Sequence, residues 1–307
     1  MLKRTIEIAG EYYITIDLER IKLSNKGDPG NEKFIPLQDS GTIIIDNHSV
    51  TLSVAFLQKC AEYNIALVVC GKTHLPASML MHLHCNQLQT ERFNFQIKAS
   101  QPLRKQIWKQ LIQAKIRNQA LLLKATGRKY GKVYKLISKV TSGDSFNAEG
   151  QAAKIYWQEL FSDIEFTRER EGNCPNNYLN FGYTILRSAT ARALTGAGLM
   201  ATIGIKHKNR YNDFPLADDV MEPYRPFTDR SVLECIKKFG MMDDLTKEVR
   251  AHLIQSVYDD VIIGDERTPL SLAISQTAVS LSEVFSGKKK ILKLPELRGV
   301  ADERKAE

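Results

Sequence analysis

The sequence predicts an α+β protein in which a small β-rich N-terminal domain precedes a larger all-helical C-terminal domain. Up to about residue 80 the chain runs in short segments rich in Ile, Tyr and Thr, divided by turn chemistry such as GDPGN and DSG. Beyond about residue 90 those signals become sparse, and apolar residues recur at helical spacing over long stretches. At 307 residues the chain also exceeds the usual size of one domain, and its core is large enough to fold without staples. The expected organisation is a β-rich domain over residues 1–80, a helical domain over 90–287 and a charged tail over 288–307.

In chain order, RTIEIAG, YYITIDLERIKL and GTIIIDN read as strands. SVTLSVAFLQKCAEYN then places Leu52, Phe56, Cys60 and Tyr63 on one helical stripe, and IALVVCG follows as the continuous apolar run of a buried strand. After His74, Leu75 and Pro76 the pattern predicts long helices, beginning with ASMLMHLHCNQLQTERFNFQIKAS and continuing through RKQIWKQLIQAKIRNQALLLKAT. GRKYGK, TSGDS and EGNCPNN interrupt the helical part. The closing GKKKILKLPELRGVADERKAE reads as a mobile tail or a docking arm.

Composition narrows the function. The five cysteines (Cys60, Cys70, Cys85, Cys174, Cys235) are odd in number, widely spaced and form no CxxC pair, which argues against a disulfide framework and a thiolate zinc site. No run is apolar enough for a signal peptide or a membrane span, so the expected location is the reducing cytoplasm, with no membrane partner. Forty-three basic against thirty-five acidic residues leave a charge of +8, which favours polyanions such as nucleic acid.

The most informative segment is IGIKHKNRYNDFPLADDVMEPYR, residues 203–225, with His207 twelve residues before Asp219 and fifteen before Glu222. Imidazole and carboxylate oxygens suit a divalent metal, and the interleaved cations Lys206, Lys208 and Arg210 suit a polyanion. Asp213 is the expected cap of a helix opening with Pro215, which sets Asp219 and Glu222 on one face, and Pro223 should kink or end it. A further carboxylate, Glu149, falls in the first turn of a helix capped by Asn147, with Ala153, Tyr156 and Leu160 on its apolar side. Each has a plainer meaning: a satisfied histidine, a solvated acidic face, a complement to the helix dipole. The same holds for Arg187 and Arg192 in NYLNFGYTILRSATARALTGAGL, for the lysines 129, 132 and 135, and for Arg225. His82 and His84 splay apart on a helix, and with Cys85 they read as structural.

NAEGQAAKIYW around Glu149, NYLNFGYTILRSATARALTGAGL and GIKHKNRYNDFPLADDVMEPYRP together resemble the CRISPR-associated integrase that captures new spacers, the first-numbered of the two universal adaptation proteins. The likeness spans nearly the whole chain, and the compact DVMEPYRP form resembles the branch found beside the single-protein RNA-guided nuclease. By position, the resemblance places the metal site on Glu149, His207 and Glu222, with Asp219 as a further ligand or a supporting group. It implies a metal-dependent DNA endonuclease or integrase that joins 3′-hydroxyl ends of captured DNA to the leader-proximal repeat by transesterification. Mg²⁺ or Mn²⁺ would serve, without a nucleotide cofactor, and the chain has no GxxxxGK[ST] loop. The implied partners are protospacer and repeat DNA, a second copy through the β-rich domain, a dimer of the small ferredoxin-like adaptation protein, the RNA-guided nuclease and a further accessory subunit. Two readings stay open at the level of residues: a metal-dependent nuclease on branched DNA or repair intermediates, and a non-catalytic nucleic-acid scaffold.

Overall fold

The computed structural model describes residues 3–28, 30–71, 76–80, 86–169, 172–207 and 209–298. The chain divides into two compact units, residues 1–87 and 88–307. The first contains β1 (Arg4–Ile8), β2 (Tyr12–Asp17), β3 (Arg20–Asn25), β4 (Glu32–Pro36), β5 (Ser40–Ile45), β6 (Thr51–Leu52), α1 (Val54–Glu62), β7 (Ala66–Cys70) and β8 (Pro76–Leu80). They form two four-stranded sheets, ordered β1-β5-β7-β8 and β4-β3-β2-β6. β5 is buried along its whole length because parallel β1 and β7 flank it, which explains its unbroken TIII run. Ser53 caps α1 by accepting from the Phe56 amide, and Phe56 and Cys60 face the core with Ile14, Ile21 and Ile43.

Two elements differ from expectation. YYITIDLERIKL is a hairpin: Ile14 pairs with Leu23 and Ile16 with Ile21, and the chain reverses at Leu18 and Glu19. Leu18 adopts a φ of 55° there, and an ion pair between Arg20 and Asp17 closes the turn at 2.6 Å. Without Gly or Asn at the bend, that reversal left no mark in the sequence. Residues 76–80, expected to begin a helix, instead pair antiparallel with β7, so an available strand edge overrides local propensity. His82, His84 and Cys85 lie outside the described residues.

The second unit is the larger helical part. It comprises α2 (Gln89–Lys98), α3 (Gln101–Ala125), α4 (Gly131–Leu136), α5 (Ala148–Leu160), α6 (Asn176–Gly196), α7 (Pro215–Met221), α8 (Arg225–Phe239), α9 (Lys247–Gln255) and α10 (Leu270–Phe285). It is not all-helical: β9 (Asp260–Ile263), β10 (Glu266–Pro269) and β11 (Pro295–Glu296) make a small antiparallel sheet, turned at Gly264 with a φ of 65°. The stretch from residue 288 is tied to this unit as far as residue 298. Leu292 and Leu297 are buried, and the Gln110 side chain donates to the Lys290 carbonyl and accepts from the Leu292 amide.

α3 is the central element. Ser100 caps it with Pro102 in the first turn, and Ile107, Trp108, Leu111, Ile112, Ile116, Leu122 and Leu123 bury one side of it. It packs against α5, α8 and the 3-10 turn Glu222–Tyr224 that joins α7 to α8. Among the described residues no helix is long and apolar enough to cross a membrane.

Candidate active site

Lys115 faces the buried side of α3 and is 8% exposed. An ammonium there must find negative charge, because burying it alone is prohibitive. It finds two partners: Glu149 Oε1 at 2.7 Å and Glu222 Oε2 at 2.6 Å. Glu149 lies in the first turn of α5, where Asn147 accepts from the Gly150 amide and Asp144 accepts from the amides of Ala148 and Glu149. The apolar side of α5 runs through Ala148, Ala152, Tyr156 and Leu160, with Ala152 taking the place expected of Ala153. Glu222 opens the 3-10 turn, where Pro223 interrupts the α-helical pattern as expected. Asn118, one turn along α3 from Lys115, donates to the Pro223 carbonyl at 2.8 Å and fixes that turn.

The two oxygens of Glu222 differ. Oε1 accepts from Arg225 Nε at 2.9 Å, whereas Oε2 lies close to Lys115 but off the direction a hydrogen bond needs, and it accepts none. Burial pushes the Glu222 carboxyl up, but the Arg225 and Lys115 charges outweigh it and hold it below the usual carboxylate range. Burial likewise pulls Lys115 down, and the charges of Glu222 and Glu149 reverse that and raise it. Both partners therefore remain ionised.

His207 sits on the segment between α6 and α7. Its Nδ1 is 2.6 Å from Asp219 Oδ1, and the Asp219 hydrogen bond, opposed by burial, raises the imidazole above its ordinary value. Beside a carboxylate Nδ1 carries the hydrogen, so Nε2 is the nitrogen with a lone pair to offer. Asp219 is fully buried and also accepts from the amides of Ile205 at 2.6 Å and Lys206 at 3.0 Å through Oδ2, and of His207 at 3.3 Å through Oδ1. Gly204 permits this approach: a Cβ there would collide with the His207 carbonyl oxygen and stand 3.1 Å from Asp219 Oδ2. Gln96 donates to the carbonyls of Met200 and Ile203 and accepts from the Met200 amide, while Arg104 donates to the Gly204 carbonyl. A cleft of about 530 Å³ borders His207, with Arg104, Asn209 and Arg210 on its walls.

Glu149 and Glu222 thus meet on one cation, and His207 pairs with Asp219. Among the described residues, no three His, Cys, Asp or Glu side chains gather as a metal-holding group. Asp219 does not turn toward Glu222 as their shared helical face suggested; its oxygens hold the His207 segment. Asp213 does not cap α7, which begins after Phe214 with no capping side chain. Of the cations singled out in the sequence, Arg187 makes a two-pronged pair with Asp218 at 2.6 and 3.0 Å, and Arg225 lies 4.4 Å over the Tyr183 ring. Lys206 is exposed next to His207 and Arg210 is exposed on the cleft wall, and Lys129, Lys132 and Lys135 are exposed on and next to α4. Lys208 lies outside the described residues.

The residues sequence reasoning missed are Lys115, Asn118, Asp144, Gln96 and Arg104. Lys115 did carry a signal: it stands on the stripe of Trp108, Leu111, Ile112 and Leu122, where a charge needs a buried partner. Asp229 is another buried acid, accepting from Tyr156 at 2.6 Å and Tyr183 at 2.5 Å. Burial, against those hydrogen bonds, raises it from 3.8 to about 6. Its folded value exceeds its unfolded one, so the folded state binds more protons in that window and stability should fall as pH rises from about 4 to about 6. Asp229→Asn should flatten that stretch; melting curves of the two proteins that run parallel with pH would contradict the assignment.

Solved structures of the same architecture place the chain in a class. A casposase bound to integration product superposes with a TM-score of 0.79 at 18% identity, covering 95% of this chain and 93% of that one. A Cas1 protein from Thermotoga maritima gives 0.76 at 17%, covering 92% and 97%. The fold is therefore that of Cas1 and casposase proteins. Residues 8–257 match the family model described as CRISPR associated protein Cas1, and the chain belongs to that family. The CRISPR-associated endonuclease Cas1 of Neisseria meningitidis serogroup C is 34% identical over 271 residues, 87% of this chain and 88% of that protein. One named Cas1 1 from Francisella tularensis subsp. novicida is 28% identical over 308 residues, covering 91% and 95%.

Proposed function

We propose that this chain is a divalent-metal-dependent DNA integrase that joins 3′-hydroxyl ends of captured DNA to the leader-proximal repeat by transesterification. The observation that carries this reading is the convergence of Glu149 and Glu222, from separate elements, on one cation in the interior. A buried carboxylate and a partly exposed one that share a cation, together with an imidazole oriented through Nδ1, suit a hard divalent ion such as Mg²⁺ or Mn²⁺. Glu149, His207 and Glu222 would hold it, and such an ion supplies Lewis-acid stabilisation of phosphate charge and lowers the pKa of an attacking hydroxyl.

The chain's own residues do the rest. Asp219 fixes the imidazole with Nε2 outward, Arg225 holds the other oxygen of Glu222, and Lys206 and Arg210 can track DNA phosphates along the cleft without reading bases. In the joining step the donor 3′-oxygen forms a bond to the target phosphorus as the target strand's own P–O3′ bond breaks. One phosphodiester replaces another, so no nucleotide is consumed. The proposed assembly pairs two copies through the β-rich unit and adds a dimer of the small ferredoxin-like adaptation protein. Its support is the likeness to a Cas6-RT-Cas1--Cas2 complex, with a TM-score of 0.75 and 21% identity over 96% of this chain and 36% of that one. Further contacts with the RNA-guided nuclease and an accessory subunit belong to the same proposal, as does a cytoplasmic location.

The test is a gel assay with a 3′-hydroxyl DNA donor and supercoiled repeat DNA in Mg²⁺ or Mn²⁺. Covalent donor–target products that vanish with chelator are expected. Cleavage without joining would move the protein to the nuclease reading, and DNA binding with neither would leave a scaffold.

A further inference from the structure

Lys115 has no place in the joining chemistry, yet it occupies the point where Glu149 and Glu222 converge. Its ammonium is 2.7 Å from one acid and 2.6 Å from the other. The residue is almost wholly buried on the mostly apolar side of its helix, and it is the one charged residue among those buried there. Its attachment is uneven. It donates to Glu149 Oε1 with good geometry, whereas its 2.6 Å approach to Glu222 Oε2 is off the best hydrogen-bond direction. A permanent structural ion pair in the interior would be expected to engage both acceptors with good geometry, because a poorly engaged buried oxygen is costly.

A lysine stem is long and flexible, and its ammonium is a point charge without preferred geometry, unlike the forked guanidinium that Arg225 offers the other oxygen of Glu222. It neutralises a carboxylate pair without locking either acid in orientation. Two carboxylates brought this close with no cation between them would repel, so their convergence needs a positive charge at that point.

We propose that Lys115 is the resident counter-ion of the candidate metal site: it holds Glu149 and Glu222 together until a divalent cation displaces it. This rests on the metal-site reading of Glu149, His207 and Glu222. Lys115 is then a positioning residue with two opposed effects. It stabilises the metal-free protein, and it competes with the metal. Replacement by the uncharged, similarly shaped methionine should lower the melting temperature of the metal-free protein and also tighten Mn²⁺ binding. A merely structural lysine would give the opposite second result, because a loosened site binds metal less well. The gain on removing a competing buried charge should be at least about tenfold in affinity, given the coupling energies of close charge pairs.

The experiment is a Mn²⁺ titration of the full chain followed by electron paramagnetic resonance, with melting curves with and without the ion, on wild type, Lys115→Met, Lys115→Arg and Glu222→Gln. Should the methionine variant fail to fold, Lys115→Arg keeps the charge and decides the matter alone. Its fork should engage both acids more fully and weaken Mn²⁺ binding severalfold below wild type while holding the metal-free melting temperature. Tighter binding in Lys115→Met together with weaker binding in Lys115→Arg supports the counter-ion. Unchanged or weaker binding in Lys115→Met, or unchanged binding in Lys115→Arg, overturns it while leaving the metal site standing if Glu222→Gln still abolishes binding. No Mn²⁺ binding in any protein, wild type included, overturns the metal site and the counter-ion with it.

Discussion

Glu222→Gln is expected to cut strand joining by at least about a hundredfold, because a metal ligand contributes several kcal/mol of charge stabilisation to phosphodiester exchange. The substitution is nearly isosteric, so the 3-10 turn held by Asn118 should survive. It does remove one of two anions facing Lys115 and the acid that pairs with Arg225, so each cation then carries excess positive charge in the interior. Breaking a buried pair in this way costs about 3–5 kcal/mol. The glutamine carbonyl can still accept from Arg225 and Lys115 keeps Glu149, which places the expected loss at the low end of that range. Denaturant unfolding, paired with the gel assay at a temperature where the variant remains folded, separates the two effects. Joining that persists within a factor of about three of wild type would remove Glu222 from the reaction.

Asp219→Ala should produce the largest loss of stability. The side chain is fully buried and accepts from three consecutive backbone amides and from the His207 ring. Alanine leaves those donors without a partner, at about 1–3 kcal/mol for each one that water cannot reach. Ile205 is buried while Lys206 and His207 are exposed, so water can repair part of the damage and a total of about 3–5 kcal/mol is expected. Strand joining should disappear along with it, because the bond to Asp219 Oδ1 is what turns the imidazole with Nε2 outward. Asp219→Asn should fall between, keeping an acceptor for the amides while presenting an amide toward His207 Nδ1. A shift of less than about 1 kcal/mol in the alanine variant would show that Gln96 and Arg104 hold the segment without it.

Much of the fold was legible because its strongest signals are local. TIII declared a strand and ALVV a buried one, the stripe of Phe56, Cys60 and Tyr63 declared a helix, and the switch from period two to helical spacing declared two different units. What escaped notice depends on partners distant in the chain. Residues 76–80 become a strand only because β7 offers an edge, the Leu18 reversal lacks the residues that announce such turns, and a small sheet forms from pieces on either side of α10.

The candidate site shows the same division. His207, Asp219, Glu222 and Glu149 stood out by type and spacing, but spacing put Asp219 and Glu222 on a common task. The bend at Pro223 and the amides of residues 205–207 instead draw the two acids apart, one to Lys115 and Arg225, the other to the His207 segment. Arg187 illustrates what spacing leaves out: a cation offered as a DNA contact makes a two-pronged pair with Asp218. Composition gives the excess of positive charge, but only coordinates tell which cations are already engaged.

One helix bonds to every moving part of this centre. Along α3, Arg104 grips the His207 segment, Lys115 grips both acids, and Asn118 grips the turn after Glu222 together with the last strand. Each component is thus tied to a single rod of about 37 Å, at about 1.5 Å per residue, in addition to the bonds it makes with its neighbours. A break in that rod would loosen all of them at once.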